Sequence, residues 1–153
     1  MEKFMQEAIK EVKKGIENNE GGPFGAIIVK DNKIIGRGHN QVILLNEPTA
    51  YAEIQAIRDA CKNINHFSLK GCELYTTCEP CPMCFSAIHW ARLDKVFFGA
   101  SKEEAKKIGF DDEFIYDIIQ NKIKDNIEFI QIDIENTKEV CEEWYQKEDK
   151  ILY

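Results

Sequence analysis

From Met1 to Asn19 apolar side chains recur every three or four positions. Phe4, Met5, Ala8, Ile9, Val12 and Ile16 share one side, and lysines and glutamates take the rest. This period predicts an amphipathic helix, which Gly21-Gly22-Pro23 ends. The pattern then changes to an apolar, β-branched run from Phe24 to Lys30, which reads as a strand. Asp31-Asn32 suits a tight turn, and Lys33 to Gly38 returns as a second strand. A polar loop carries Asn46 and Pro48. Thr49 is placed to cap a helix running to about Lys62, with Ile54, Ile57 and Cys61 at helical spacing. Cys72 to Thr77 predicts a short strand. Pro80-Cys81-Pro82 opens a helix to about Ala91, since proline is tolerated in a first helical turn. Lys95 to Ala100, with Val96-Phe97-Phe98, predicts a strand, and Gly109-Phe110-Asp111-Asp112 opens a short helix through Ile119. A last strand is expected from Ile127 to Ile134. A last helix is expected from Thr137 to about Glu148, with Val140, Cys141, Trp144 and Tyr145 on one face.

This order of elements predicts a three-layer α/β/α sandwich with a mixed central sheet. No internal repeat, low-complexity tract or linker interrupts it, and 153 residues suit a single domain with its own core. A net charge of −7 argues against a polyanionic partner such as tRNA or DNA, which needs a basic surface. A small uncharged ligand suits it as well. The first helix is amphipathic, not a leader, and no apolar run is long enough to cross a bilayer, so the expected location is the cytoplasm.

The chemistry concentrates in cysteine. The chain has six, at 61, 72, 78, 81, 84 and 141. In a reducing compartment a cluster of thiols points to metal before disulfide. Cys61, Cys72 and Cys141 sit in regular segments and read as small buried residues. Cys81 and Cys84 are three apart on a first helical turn, so both sulfurs can face one point. Thiolates in that arrangement select zinc over hard cations, although a Cys-x-x-Cys alone serves equally as a redox dithiol. The expected site lies at two helix starts, one carrying Tyr51 to Glu53 and the other Cys81 to Cys84. Helix N-termini favour anions such as thiolates.

Pro48-Thr49-Ala50-Tyr51-Ala52-Glu53 followed by Cys78-Glu79-Pro80-Cys81-Pro82-Met83-Cys84 resembles the paired motifs of the zinc nucleobase deaminases, in the cytidine/deoxycytidylate deaminase-like superfamily. Gly22-Pro23-Phe24-Gly25-Ala26, Asn46-Glu47-Pro48-Thr49-Ala50, Gly109-Phe110-Asp111-Asp112-Glu113-Phe114-Ile115-Tyr116 and Tyr153 make it most similar to the guanine deaminase branch. The first two of these are shared in part with tRNA adenosine and cytosine deaminases. The resemblance implies a cytidine deaminase-like fold, a hydrolase of purine metabolism, a Zn2+ cofactor, and guanine converted to xanthine and ammonia. It implies Glu53 as general acid/base and Phe24, Asn40, Asp112 and Tyr153 as contacts to the base. It also implies a homodimer exchanging a C-terminal segment of about residues 136–153. Cys81 and Cys84 would be zinc ligands, and the third ligand position falls on Tyr51, where the family has histidine.

A phenol has to lose a proton with an ordinary pKa of about 10 before it ligates, and its oxygen reaches farther from the backbone than an imidazole nitrogen. His39, His66 and His89 all read as packing or surface residues, not substitutes. Three states stay open at the level of sequence: weak zinc binding completed by Tyr51 or water, a metal-free purine binder, or an introduced substitution. A deaminase of another base or nucleoside, including cytosine or adenosine in tRNA, is the alternative activity.

Overall fold

The computed structural model describes residues 1–132 and 135–152. In chain order the elements are α1 (Glu2–Glu17), β1 (Gly25–Lys30), β2 (Lys33–His39), α2 (Val42–Leu45), α3 (Ala52–Ile64), β3 (Glu73–Cys78), α4 (Pro82–Trp90), β4 (Lys95–Ala100), α5 (Lys102–Lys107), α6 (Glu113–Ile119) and α7 (Glu135–Gln146). The sheet runs β2-β1-β3-β4. β1 is antiparallel to both β2 and β3, and β3 is parallel to β4, so the sheet is mixed as expected.

The alternation of side chains along β1 explains the layers. Ile27 and Val29 face α1 and pack with Phe4, Ala8 and Tyr75. Ala26 and Ile28 face the other way, into a core with Ala52, Ala56 and Ala60 of α3 and Ile88 of α4. Covered on both faces, β1 reads as a continuous apolar run. The alanine stripe of α3 lies close to β2. A Cβ at Gly36 would stand 2.5 Å from the Ala56 carbonyl oxygen, and one at Gly38 would stand 2.5 Å from that of Ala52. The β1–β2 turn places Asp31 and Asn32 at positive φ, the form that a two-residue hairpin of this twist requires.

Four expectations change. The loop before α3 contains the one-turn helix α2. α3 starts at Ala52 with Tyr51 at its N-cap, not at Thr49, because residues 47–51 are consumed in tight turns. Ala50 N donates to Glu47 O at 3.1 Å and Tyr51 N to Thr49 O at 2.8 Å. Helix α5 had no apolar period to announce it and is set by a capping box between Ser101 and Glu104. Residues 127–132 form no strand, and residues 133–134 lie outside the described residues. A strand needs a neighbour, and in this chain the sheet stops at β4.

Cys72 is buried as expected and Cys61 is half-buried, but Cys141 is exposed. It shares α7 with Val140 and Trp144, which are exposed as well, and residues 137–146 of that helix offer no covered face for a thiol to occupy. Among the described residues no helix is long and apolar enough to cross a membrane.

Candidate active site

The N-termini of α3 and α4 carry the site. Tyr51 is the extended N-cap of α3, and Glu53 sits in its first turn. Cys81 is the extended N-cap of α4, followed by Pro82 and, in the first turn, Cys84. Glu53 is 5 % exposed, and both of its oxygens are used. Oε1 accepts from Thr76 Oγ1 at 2.9 Å, and Oε2 accepts from Cys84 Sγ at 3.4 Å. The carboxylate borders a cavity of about 300 Å³. Phe24, Tyr51 and Cys81 line it, together with Gly109 to Asp112, Phe114 and Ile115 of the chain that follows α5.

The part of the lining that follows α5 is shaped by local chemistry. Gly109 takes φ +98° after α5, a conformation that favours glycine, and turns the chain back. Asp111 Oδ1 accepts from Glu113 N at 3.1 Å and so takes over the turn at the start of α6. Asp112 occupies the N-cap position without using its side chain as a cap, so its carboxylate is left for the cavity that it lines.

Burial raises Glu53 above the ordinary carboxylate range, against the lowering effect of its hydrogen bonds, its own backbone first and then Thr76 and Cys84. Burial likewise raises Asp112. Tyr51 is raised by burial and then by the negative charge of Cys81, Cys84, Asp112 and Glu53. The two thiols diverge. The hydrogen bond from Cys84 holds Cys81 below the ordinary thiol range, and the same bond together with burial pushes Cys84 up. Cys78, which also lines the cavity, is pushed up to about 11 by burial.

The structure therefore brings Phe24, Tyr51, Glu53, Cys81 and Asp112 to one cavity, with Cys84 directly behind Glu53. Phe24 also packs on the core, so it holds both of the places open to it. Asn40 is 2 % exposed and is held next to Phe24 through the backbone. Its N–H donates to Phe24 O at 3.0 Å, and its Oδ1 accepts from Val42 N at 3.2 Å. Tyr153 lies outside the described residues.

The histidines are engaged elsewhere. His39 shares a hydrogen bond with Glu20, His66 accepts from Ser68 N, and His89 packs edge-on against Phe85. Among the described residues no three side chains of His, Cys, Asp or Glu gather as ligands. Sequence reasoning missed Thr76, Phe110 and Lys102. Thr76 carries no local signal, because its role depends on β3 lying beside α3. Phe110 stood inside a quoted motif but was given no task.

The family described as the cytidine and deoxycytidylate deaminase zinc-binding region matches residues 1–100. A guanine deaminase of Bacillus subtilis (strain 168) is 43 % identical over 153 residues, covering 99 % of this chain and 98 % of that one. A tRNA-specific adenosine deaminase of Aquifex aeolicus (strain VF5) is 48 % identical over 99 residues, 65 % of each chain. The crystal structure of guanine deaminase from B. subtilis superposes with a TM-score of 0.93 at 43 % identity, over 99 % of this chain and 98 % of that one. The guanine deaminase from Nitrosomonas europaea superposes with a TM-score of 0.67 at 30 % identity, over 71 % of this chain and 63 % of that one. With the β2-β1-β3-β4 sheet, the two helix starts and the buried Glu53 in place, the chain belongs to the cytidine and deoxycytidylate deaminase superfamily, as a guanine deaminase-like aminohydrolase.

Proposed function

We propose that the cavity binds a purine base and that the chemistry of the site is hydrolytic deamination of guanine, giving xanthine and ammonia. The observation that carries this reading is Glu53: a buried carboxylate with both oxygens fixed, at the edge of a cavity that Phe24 and Asp112 line. Its raised pKa suits a group that must take a proton and return it. Glu53 accepts the proton of the attacking water, delivers it to the ring nitrogen beside C2, and assists departure of the amino group as ammonia. Phe24 gives the base an aromatic face, and Asp112 gives it an acceptor for an N–H edge. Asn40, whose Oδ1 accepts from Val42 N, offers the base a hydrogen bond through its amide.

When bound, the family's zinc supplies a Lewis acid that lowers the pKa of water. The donor set here does not fit a complete centre. Cys81 and Cys84 provide two thiols, and in third place Tyr51 offers a phenol whose deprotonation is disfavoured by burial and then by its anionic neighbours. That mismatch favours a second reading, a purine-binding relative with little turnover. In either reading the protein works in the cytoplasm as one domain, and as a homodimer whose C-terminal segment is exchanged. The apolar residues Phe129, Ile132, Trp144 and Leu152, all exposed in the single chain, support the dimer.

The test is xanthine and ammonia formation from guanine, together with zinc per chain, for the wild type, Tyr51→His and Glu53→Gln. The deaminase reading expects Tyr51→His to bring zinc close to one per chain and raise turnover by at least about tenfold. It expects Glu53→Gln in that background to remove turnover by a factor of about 10²–10⁴. Failure of both the wild type and Tyr51→His to bind guanine would sink the purine assignment.

A further inference from the structure

We propose that Phe110 is a specificity-determining residue, a wall that makes the cavity select a free purine base over its nucleoside. This rests on the purine reading above and deepens it. Phe24 and Phe110 both line the cavity, with ring centroids 4.7 Å apart and planes at 88°. A planar base lying flat on Phe24 is parallel to that ring. Phe110, perpendicular to Phe24, then stands across the plane of the base at its rim and is no second stacking face. The amino-bearing edge has to reach Glu53. In the proposed pose the imidazole edge, which carries the sugar in a nucleoside, points away from Glu53 and meets Phe110, which lines the same cavity. A free base ends there in ring atoms, whereas a nucleoside continues into a bulky, non-planar sugar.

The corner is held from several sides. A Cβ at Gly22 would lie 2.8 Å from Phe110 Cζ and 3.1 Å from Phe24 Cε2, so only the bare glycine leaves both rings their place. From below, Phe110 N donates to Ala105 O at 3.0 Å. Beyond it, Lys106 Nζ binds Asp111 Oδ2 at 3.1 Å and Glu113 Oε2 at 2.5 Å, fixing the segment on which Phe110 rides. A ring restrained in this way can hold the rim of a ligand to a fixed position. Phe110 itself is 37 % exposed, so replacing it does not empty the core.

The experiment is equilibrium binding of guanine and of guanosine to the full chain, for the wild type, Phe110→Leu and Phe110→Ala. Unfolding temperatures check that each variant folds. Binding, unlike turnover, is independent of the third metal ligand. The wild type is expected to prefer guanine. Phe110→Ala should narrow that preference about tenfold or more, the scale on which pocket shape discriminates. It should do so partly through an absolute gain for guanosine, which mere loss of packing does not produce. Phe110→Leu, which keeps part of the wall, should fall between. An unchanged guanine-to-guanosine ratio in Phe110→Ala, with guanine still bound by the wild type, overturns the wall. A wild type that binds neither ligand overturns the purine reading, and this inference with it.

Discussion

Thr76 is the residue on which the geometry of Glu53 depends. Its hydroxyl holds Oε1 at 2.9 Å in a place with no exposure to solvent. A hydrogen bond to a charged group contributes about 1.5–3 kcal/mol, on the order of a tenfold change in rate for each 1.4 kcal/mol. In a Tyr51→His background, Thr76→Val should therefore lower kcat by roughly tenfold or more while KM changes little, and Thr76→Ser should recover most of it. The hydroxyl bonds the ionised carboxylate and lowers its pKa. Removing it should move the acid limb of the pH–rate profile to higher pH, a shift that a purely structural role for Thr76 does not produce. That Glu53, Cys81 and Cys84 would come together was legible in the sequence, because they sit at fixed spacing on two helix starts. Thr76 was not, since nothing near it in the chain says that β3 will pass α3 with that side chain inward. Tyr51 was legible as a departure. What the fold adds is that Tyr51 lines the same cavity as Glu53 and Cys81, among groups that favour its neutral phenol.

At the scale of elements, β1 and α1 could be read from the apolar faces they bury, and β2, β4, α4 and α6 from β-branched or aromatic runs and from the turn and start residues that bound them. The β1–β2 hairpin was marked by Asp31-Asn32, which the turn places at positive φ. α5 escaped because six residues held by a capping box need no apolar stripe. The approach of α1 to β2 was also unreadable, since it is made by long-range polar contacts. Arg37 pairs with Glu7 at 2.8 Å and Glu11 at 3.3 Å, and His39 shares a hydrogen bond with Glu20, to which Gln41 donates at 2.8 Å. The bonds from His39 and then Gln41 hold Glu20 below its ordinary carboxylate range. A carboxylate lowered on folding stabilises the fold fully above its unfolded value, about 4.3, and that contribution disappears as pH falls through the lowered folded value. Glu20→Gln should accordingly cost about 1 kcal/mol at pH 7, discounted for its 15 % exposure, or about 2–4 °C in Tm for a chain of this size. The two melting temperatures should converge as the buffer is taken well below pH 4. A difference that persists unchanged in acid would mean that Glu20 acts through packing and not through charge.

For the molecule as a whole, the apolar balance is settled in the body and left open at the C-terminal end. Ile27, Ile28, Leu69 and Leu74 are fully buried, whereas Ile127, Phe129, Ile130 and Ile132 are between 69 % and 84 % exposed. A strand was predicted at 127–134; residues 127–132 have the residue choice of one, but among the described residues they pair with no strand, and the sheet ends at β4. Phe98 on that edge and Phe85 and Trp90 on α4 are at least half exposed as well. Two uncovered apolar surfaces of this extent, one on an arm and one on a body, are costly in a single chain, and the proposed dimer would cover them. Light scattering on the purified protein should give twice the 17.7 kDa chain mass, and Phe129→Asp combined with Ile132→Asp should reduce it to the single chain with the helical signal retained. Exchange of the arm, as opposed to side-by-side docking, makes a sharper claim. If Tyr153 closes the partner's cavity, a Tyr51→His chain carrying Glu53→Gln and another carrying Tyr153→Ala are each poor alone. Unfolded and refolded together, they should form mixed dimers in which an intact Glu53 meets an intact Tyr153, so that activity appears which neither parent has. Complementation that never exceeds the sum of the parents, in dimers shown by mass to have mixed, would place Tyr153 on its own chain's site or on none.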